Sequence, residues 1–185
     1  MIKIGFLLGT FDPIHIGHLN MIRLALLHLD KVIVVPTVLN PCKESSTIID
    51  HRMNMILHAI KPFGTKCAFS KVELTLNPPY YSVNTLKALK EVYQHSDNYL
   101  IVGDDVDVES WNESNWILDN YKLMVIHRGI NTMRDCTIQV FNNPMPVSST
   151  YIRECIKREE PIFPLVPESV NNYIKTHKLY ENISN

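Results

Sequence analysis

MIKIGFLLGTFDPIHIGHLNMIRLALLHLDKVIVVP, residues 1–36, is the stretch on which the fold class turns. Residues 2–8, IKIGFLL, form a near-continuous apolar run of strand length. A buried parallel strand reads this way because both its faces are covered. GTFDPIHIG follows as a turn-rich stretch, and residues 18–29, HLNMIRLALLHL, carry Leu, Ile and Met at helical spacing. Residues 31–36, KVIVVP, are a second strand of the buried type. Strand, helix and strand in so short a span make a βαβ unit, whose two strands run parallel.

The alternation continues outward from this unit. Residues 50–60 read as a helix with Asp50 near its start, 66–74 as a strand, and 82–95 as a helix with Ser82 as N-cap. NYLIVG, ending at Gly103, and YKLMVIHR, ending at Arg128, read as strands, with a short further strand at 137–141. Helices are expected at 150–158 and in PESVNNYIKTHKLY. The polar stretches Pro41–Ile49 and Gly129–Arg134 read as loops. The pattern predicts one α/β domain over residues 1–185, with about five parallel strands in one sheet and the last ~40 residues helical. In such sheets ligands bind beyond the carboxyl ends of the strands, where strand order reverses. Attention therefore falls on the residues after Leu8, Val35, Gly103 and Ile126.

Composition narrows the function. A chain of 185 residues can bury close to ~70% of its unfolded surface without a metal or disulfide staple. Eighteen Lys plus Arg stand against nineteen Asp plus Glu, which argues against a non-specific nucleic-acid binder. Cys42, Cys67, Cys136 and Cys155 are scattered and form no CxxC pair, so a structural metal site is not expected. No apolar run approaches the roughly 18 residues of a spanning helix. The first residues lack a small-residue cleavage site and read as a strand, not a signal peptide. A reducing, cytoplasmic setting without membrane or nucleic-acid partners is expected. Self-association is left open.

Two segments carry chemistry. In GTFDPIHIGH, Gly9 is expected to let the backbone turn tightly, and Pro13 stiffens the loop. His15 and His18, three apart, share a face if both join the first helical turn. A helix N-terminus with two imidazoles beside it suits a phosphoryl group. The plainer reading is a surface turn whose histidines cap or pack. In VSSTYIR, residues 147–153, the hydroxyls of Ser148, Ser149 and Thr150 can start a helix or, with Arg153 one turn along, hold phosphate. Gly103 and Asp105 in IVGDD end a strand where a carboxylate can hold a ribose hydroxyl, although Asp104 and Asp107 also allow an acidic loop or metal patch.

GTFDPIHIGH resembles the HxGH signature of the nucleotidylyltransferases, most closely the nicotinate/nicotinamide mononucleotide adenylyltransferases, whose first loop reads GGTFDPxHxGH. Here Leu8 stands in place of the first Gly. VSSTYIR is similar to the family's ISSTxIR, with Val147 for Ile. The string HIGH also matches class I aminoacyl-tRNA synthetases, but this chain is too short for one and has no KMSKS-like segment. The resemblance spans most of the chain. NPCK at 40–43 takes the place of PPHK, keeping Lys43 but with Cys42 for His. HRMNMI resembles HRxxM, where Arg52 either reaches the site or lies on an exposed helix face. YYSVNTL resembles SYTxxTL at Ser82 and Thr85, and the C-terminal FPLVPESVNNYIKTHKLY resembles LVPxxVxxYIxxxxLY, to which a structural role falls.

The resemblance implies a doubly wound, Rossmann-like sheet and a transferase of NAD biosynthesis. AMP would pass from ATP to the 5′-phosphate of nicotinate (or nicotinamide) mononucleotide, giving deamido-NAD (or NAD) and pyrophosphate, with Mg²⁺ accompanying ATP. It implies catalysis by His18, His15 and Arg153. ATP would contact Gly9, Thr10, Phe11, His15, His18, Gly103, Asp105, Ser148, Ser149, Thr150 and Arg153. The mononucleotide would contact Lys43, Ser82, Thr85, Trp111 and Arg128, with Trp111 against the pyridine ring; Trp116 is expected to pack. The alternatives are another transferase of this superfamily, such as pantetheine-phosphate adenylyltransferase or a cytidylyltransferase, and a non-catalytic nucleotide sensor.

Overall fold

The structure, a computed structural model, describes residues 1–38, 47–127, 137–141 and 146–181. Among these residues six strands form one sheet: β1 (Lys3–Gly9), β2 (Lys31–Pro36), β3 (Cys67–Phe69), β4 (Asp97–Gly103), β5 (Lys122–His127) and β6 (Ile138–Phe141). Every pairing is parallel, and the order is β3-β2-β1-β4-β5-β6. The chain steps outward from β1 to β3, returns, and steps outward the other way from β4 to β6. β1 and β4 thus flank the point of reversal, paired from Lys3 opposite Asp97 to Phe6 opposite Leu100. This is the doubly wound, Rossmann-like arrangement, with the short strand at 137–141 as its sixth member.

Each strand is apolar on both sides because both faces of the sheet are covered. Ile4, Phe6, Ile33, Val35, Leu123 and Val125 enter one core, beneath α3 (Ser82–Val92) and α4 (Ser114–Asn120). Their sequence neighbours Leu7, Val32, Val34, Met124 and Ile126 enter the other. That second core is closed by α1 (Ile16–Ala25), α2 (Ile49–Ile60), α5 (Ser149–Lys157) and α6 (Glu168–Thr176). Full burial of such side chains stabilises by roughly 1.5–3 kcal/mol each, so the strand ends are a rigid base for the loops above them. No helix among the described residues is long and apolar enough to cross a membrane.

Several local expectations need correction. The strand expected at 66–74 stops at Phe69, and a single 3-10 turn covers Val72–Thr75. The cause is Glu73, buried in that turn and directed inward to accept hydrogen bonds from the Val38 N–H and the Thr85 hydroxyl. Ser82 is not the N-cap of α3 but its first residue; Tyr81 holds the cap position and contributes no side-chain bond. α1 begins at Ile16, two residues before the apolar spacing starts, with His15 as cap. α4 is not expected from the sequence, because its apolar residues Trp116, Ile117 and Leu118 are consecutive and show no helical spacing, and Leu118 is exposed. Trp116 packs at the edge of that core, as expected. The loop at 129–134, and Cys42 and Cys136, lie outside the described residues. Cys67 and Cys155 are buried thiols, and burial pushes Cys67 up to about 12.

Candidate active site

Beyond the carboxyl ends of β1 and β4 lies a cleft of about 650 Å³. Its floor is made by the strand ends and by Leu8, whose side chain packs on the core beneath α3 and α4. One wall is the loop after β1, a second the start of α5, and a third the segment after β4.

The first wall holds Gly9, Thr10, Phe11, His15 and His18. The tight turn is not made by Gly9: the left-handed residue is Phe11, at φ 51°. Gly9 matters for space. A Cβ there would sit 2.9 Å from the Phe11 ring, closer than real contacts allow. Gly17 has a similar role between the two histidines. A Cβ on it would stand 3.0 Å from the His15 ring and 3.1 Å from Val147. Its absence lets the imidazoles stack, with centroids 3.7 Å apart at 27°, and lets the second motif close on the first. The Phe11 ring stands edge-on to His18 at 4.9 Å. The His15 N–H donates to His18 Nδ1 at 3.3 Å. A neutral imidazole that accepts at Nδ1 carries its proton on Nε2, so His18 can offer an N–H to a ligand.

The second wall is latched onto the first. Ser148 caps α5, its hydroxyl accepting from the Tyr151 N–H at 3.1 Å. The Ser149 hydroxyl donates to the Pro13 carbonyl at 2.9 Å, and Arg153 Nη1 donates to the Asp12 carbonyl at 2.7 Å. Thr150 Oγ1 lies at 3.5 Å from Arg153 Nη2. The N-termini of α1 and α5 therefore converge on one cleft, with their positive dipole ends and Arg153 together, which suits a polyphosphate. The third wall supplies Gly103, Asp105 and Trp111. Asp104 turns the other way, into the core, with Oδ2 3.7 Å from His127 Nδ1, while the Phe141 ring stacks on His127 at 4.6 Å. Asp107 faces a different depression with Glu109. Among the described residues no group of three or more His, Cys, Asp or Glu could hold a metal ion.

Not every residue named from the sequence meets here. Ser82 and Thr85 do not line the cleft. Thr85 is fully buried, 0% exposed, and its hydroxyl donates to Glu73 Oε1 at 2.7 Å, so it holds Glu73. Lys43 and Arg128 lie outside the described residues. Conversely, three residues stand behind the cleft: Arg52, for which the sequence leaves open a site contact or an exposed helix face, and Glu73 and Tyr180, to which it assigns no role in the site. Arg52 is buried, 1% exposed, not on an exposed helix face. Its Nη1 donates to the Thr10 and Thr37 carbonyls, both at 2.7 Å, its Nη2 to Val38 at 3.0 Å and its Nε to Thr47 at 3.2 Å. Burial lowers the Arg52 pKa against the pull of Asp12, Tyr180 and Glu73, and burial raises that of Glu73. Tyr180 reaches the first wall from the C-terminal segment, its hydroxyl donating to Asp12 Oδ1 at 2.6 Å. A signal for Arg52 was present, since it is in helical step with the buried Met55, Ile56 and Ala59. Glu73 had none.

Residues 6–155 match the cytidylyltransferase-like family model. A protein of Flavobacterium johnsoniae, named a probable nicotinate-nucleotide adenylyltransferase, is 35% identical, with 97% of this chain and 99% of that protein covered. One of Coprothermobacter proteolyticus with the same name is 36% identical, covering 96% and 95%. The solved structure of Plasmodium falciparum nicotinic acid mononucleotide adenylyltransferase complexed with NaAD has the same fold, with a TM-score of 0.78 over 97% of this chain and 98% of that one, at 21% identity.

Proposed function

The chain belongs to the cytidylyltransferase-like family and, within it, to the nicotinate-nucleotide adenylyltransferases, and from that membership we propose that it transfers AMP from ATP to nicotinate mononucleotide. The observation that carries the reading is the latch between the two motifs: the stacked His15–His18 pair and Arg153 are held around one cleft by the bonds from Arg153 and Ser149 to Asp12 and Pro13.

The 5′-phosphate of the mononucleotide attacks the α-phosphorus of ATP in line. A phosphorus–oxygen bond forms to the mononucleotide, the bond to the β-phosphate breaks, and pyrophosphate leaves with that electron pair. The nucleophile is already an anion, so no general base is needed. Catalysis rests on positioning and on charge stabilisation. His18 Nε2–H is assigned to an α-phosphate oxygen, where charge develops, and His15 and Arg153 to the other ATP phosphates. Asp105 is assigned to the ATP ribose. Mg²⁺ enters with ATP as part of the substrate, held by phosphate oxygens and water, in keeping with its reluctance to dehydrate.

Trp111 is assigned to the pyridine ring, on which its indole can stack. Stacking of this kind contributes ~1–3 kcal/mol. Trp111→Ala should therefore raise the KM for the mononucleotide ~10-fold or more while kcat stays within ~3-fold. Steady-state kinetics at saturating ATP measures this, and an unchanged KM would remove Trp111 from the site.

Pyrophosphate release with MgATP, run in parallel with nicotinate mononucleotide, nicotinamide mononucleotide and phosphopantetheine, tests the whole reading. Turnover with the nicotinate substrate, at the highest kcat/KM of the three, is the expected result. Turnover with phosphopantetheine alone would move the chain to another branch of its family. Silence with all three from a protein that still binds ATP would make it a sensor.

A further inference from the structure

The loop that carries the histidines is tied from both sides. On the cleft side, Ser149 and Arg153 hold the Pro13 and Asp12 carbonyls. From behind, Arg52 holds the Thr10 carbonyl. The C-terminal segment adds two more ties. The N–H of Ile16, the residue between His15 and Gly17, donates to the Leu165 carbonyl at 3.0 Å. The Tyr180 hydroxyl donates to Asp12 Oδ1 at 2.6 Å.

We infer that Tyr180 is a positioning residue for adenylyl transfer, acting through Asp12 on Arg153 and on the histidine pair. The inference rests on the function proposed above. Asp12 is the hinge of the argument. It is buried, 2% exposed; its carboxylate accepts from Tyr180 while its own main-chain carbonyl accepts from Arg153. Rotation of the Asp12 side chain or peptide would therefore shift the Arg153 guanidinium and the start of α1 together. Burial and the adjoining carboxylate push the Tyr180 hydroxyl well up from its ordinary pKa, so it stays a donor at any working pH. The neighbouring Leu179 is buried and apolar and makes no such bond, which gives a control for mere docking of the C-terminal segment.

The test compares Tyr180→Phe with Leu179→Ala. Tyr180→Phe removes one hydroxyl and keeps the ring. It should lower kcat ~10-fold or more, with the mononucleotide KM within ~2-fold and little loss of Tm. Leu179→Ala should lower Tm clearly but leave kcat per folded molecule intact. In an Asp12→Ala background, Tyr180→Phe should have no further effect on kcat. A second readout does not need turnover: the Kd for α,β-methylene-ATP by calorimetry should rise ~5-fold in Tyr180→Phe and stay unchanged in Leu179→Ala. Full kcat and unchanged Kd in Tyr180→Phe would overturn the inference. So would equal losses per folded molecule in both variants, or independent effects of Tyr180 and Asp12. Absence of pyrophosphate release from the unmodified protein would defeat the adenylyl-transfer reading alone, since the binding comparison still decides the role of Tyr180.

Discussion

His18→Ala lowers kcat by more than ~100-fold while the protein remains folded: that is the expected result of removing a cleft-lining imidazole whose Nδ1 is held as an acceptor and whose proton is therefore on Nε2. A hundredfold loss corresponds to about 2.7 kcal/mol of transition-state stabilisation, which is what a single preorganised donor supplies. Preorganisation is visible in three contacts. The backbone of His15 sets the tautomer, the His15 ring lies against one face of His18, and the Phe11 ring stands against it edge-on. His18 is only half-buried at the mouth of the cleft, so its loss leaves no large cavity in the core. Circular dichroism and the melting temperature should therefore stay close to those of the unmodified protein. Near-normal turnover in a folded variant would show that the α-phosphate is served by another group.

The largest effect on stability is expected at Arg52. Its guanidinium makes four bonds to carbonyls from three separate segments, the ends of β1 and β2 and the approach to α2. Arg52→Ala removes all four donors at once and leaves Glu73 without its nearby cation. Breaking a buried ionic group in this way costs about 3–5 kcal/mol, a large share of the 5–15 kcal/mol typical of a whole domain. With ~2 kcal/mol per M of urea, the unfolding midpoint should fall by roughly 2 M. Arg52→Lys should recover little, because one ammonium cannot span the carbonyls that the planar fork reaches. A midpoint unchanged in Arg52→Ala would mean that water replaces the guanidinium without loss.

Much of this molecule is legible in its sequence, for physical reasons. A strand covered on both faces has to be apolar at successive positions, and β1, β2, β4 and β5 are. Their order needs only right-handed crossovers and a reversal, and the reversal places the cleft beside Gly9 and Gly103. The cleft walls were readable for a different reason. Phosphate chemistry calls for glycines, hydroxyls, imidazoles and a guanidinium at helix starts, and few structural needs produce that mixture twice. What stayed hidden depends on contacts distant in sequence. Nothing local to Glu73 shows that it turns inward to Val38 and Thr85, and that inward turn is what cuts β3 short. Thr85 matched a motif, yet burial gives its hydroxyl to Glu73. The C-terminal segment read as structural because its apolar spacing is that of any docked helix. The bond from Tyr180 to Asp12 lies outside what spacing can express.

The ties on the histidine loop also have a kinetic meaning. The bonds from Ser149, Arg153 and Tyr180 span 136, 141 and 168 residues of chain. Contacts at such separations form late, because the entropy of closing long loops has to be overcome before they contribute. The βαβ unit at residues 3–36 can assemble from local pairings, but its histidine loop gains its shape only when the far end of the chain docks. Anion binding by this loop should thus appear in one step with global folding, and a partly folded chain should hold neither ATP nor the power to consume it.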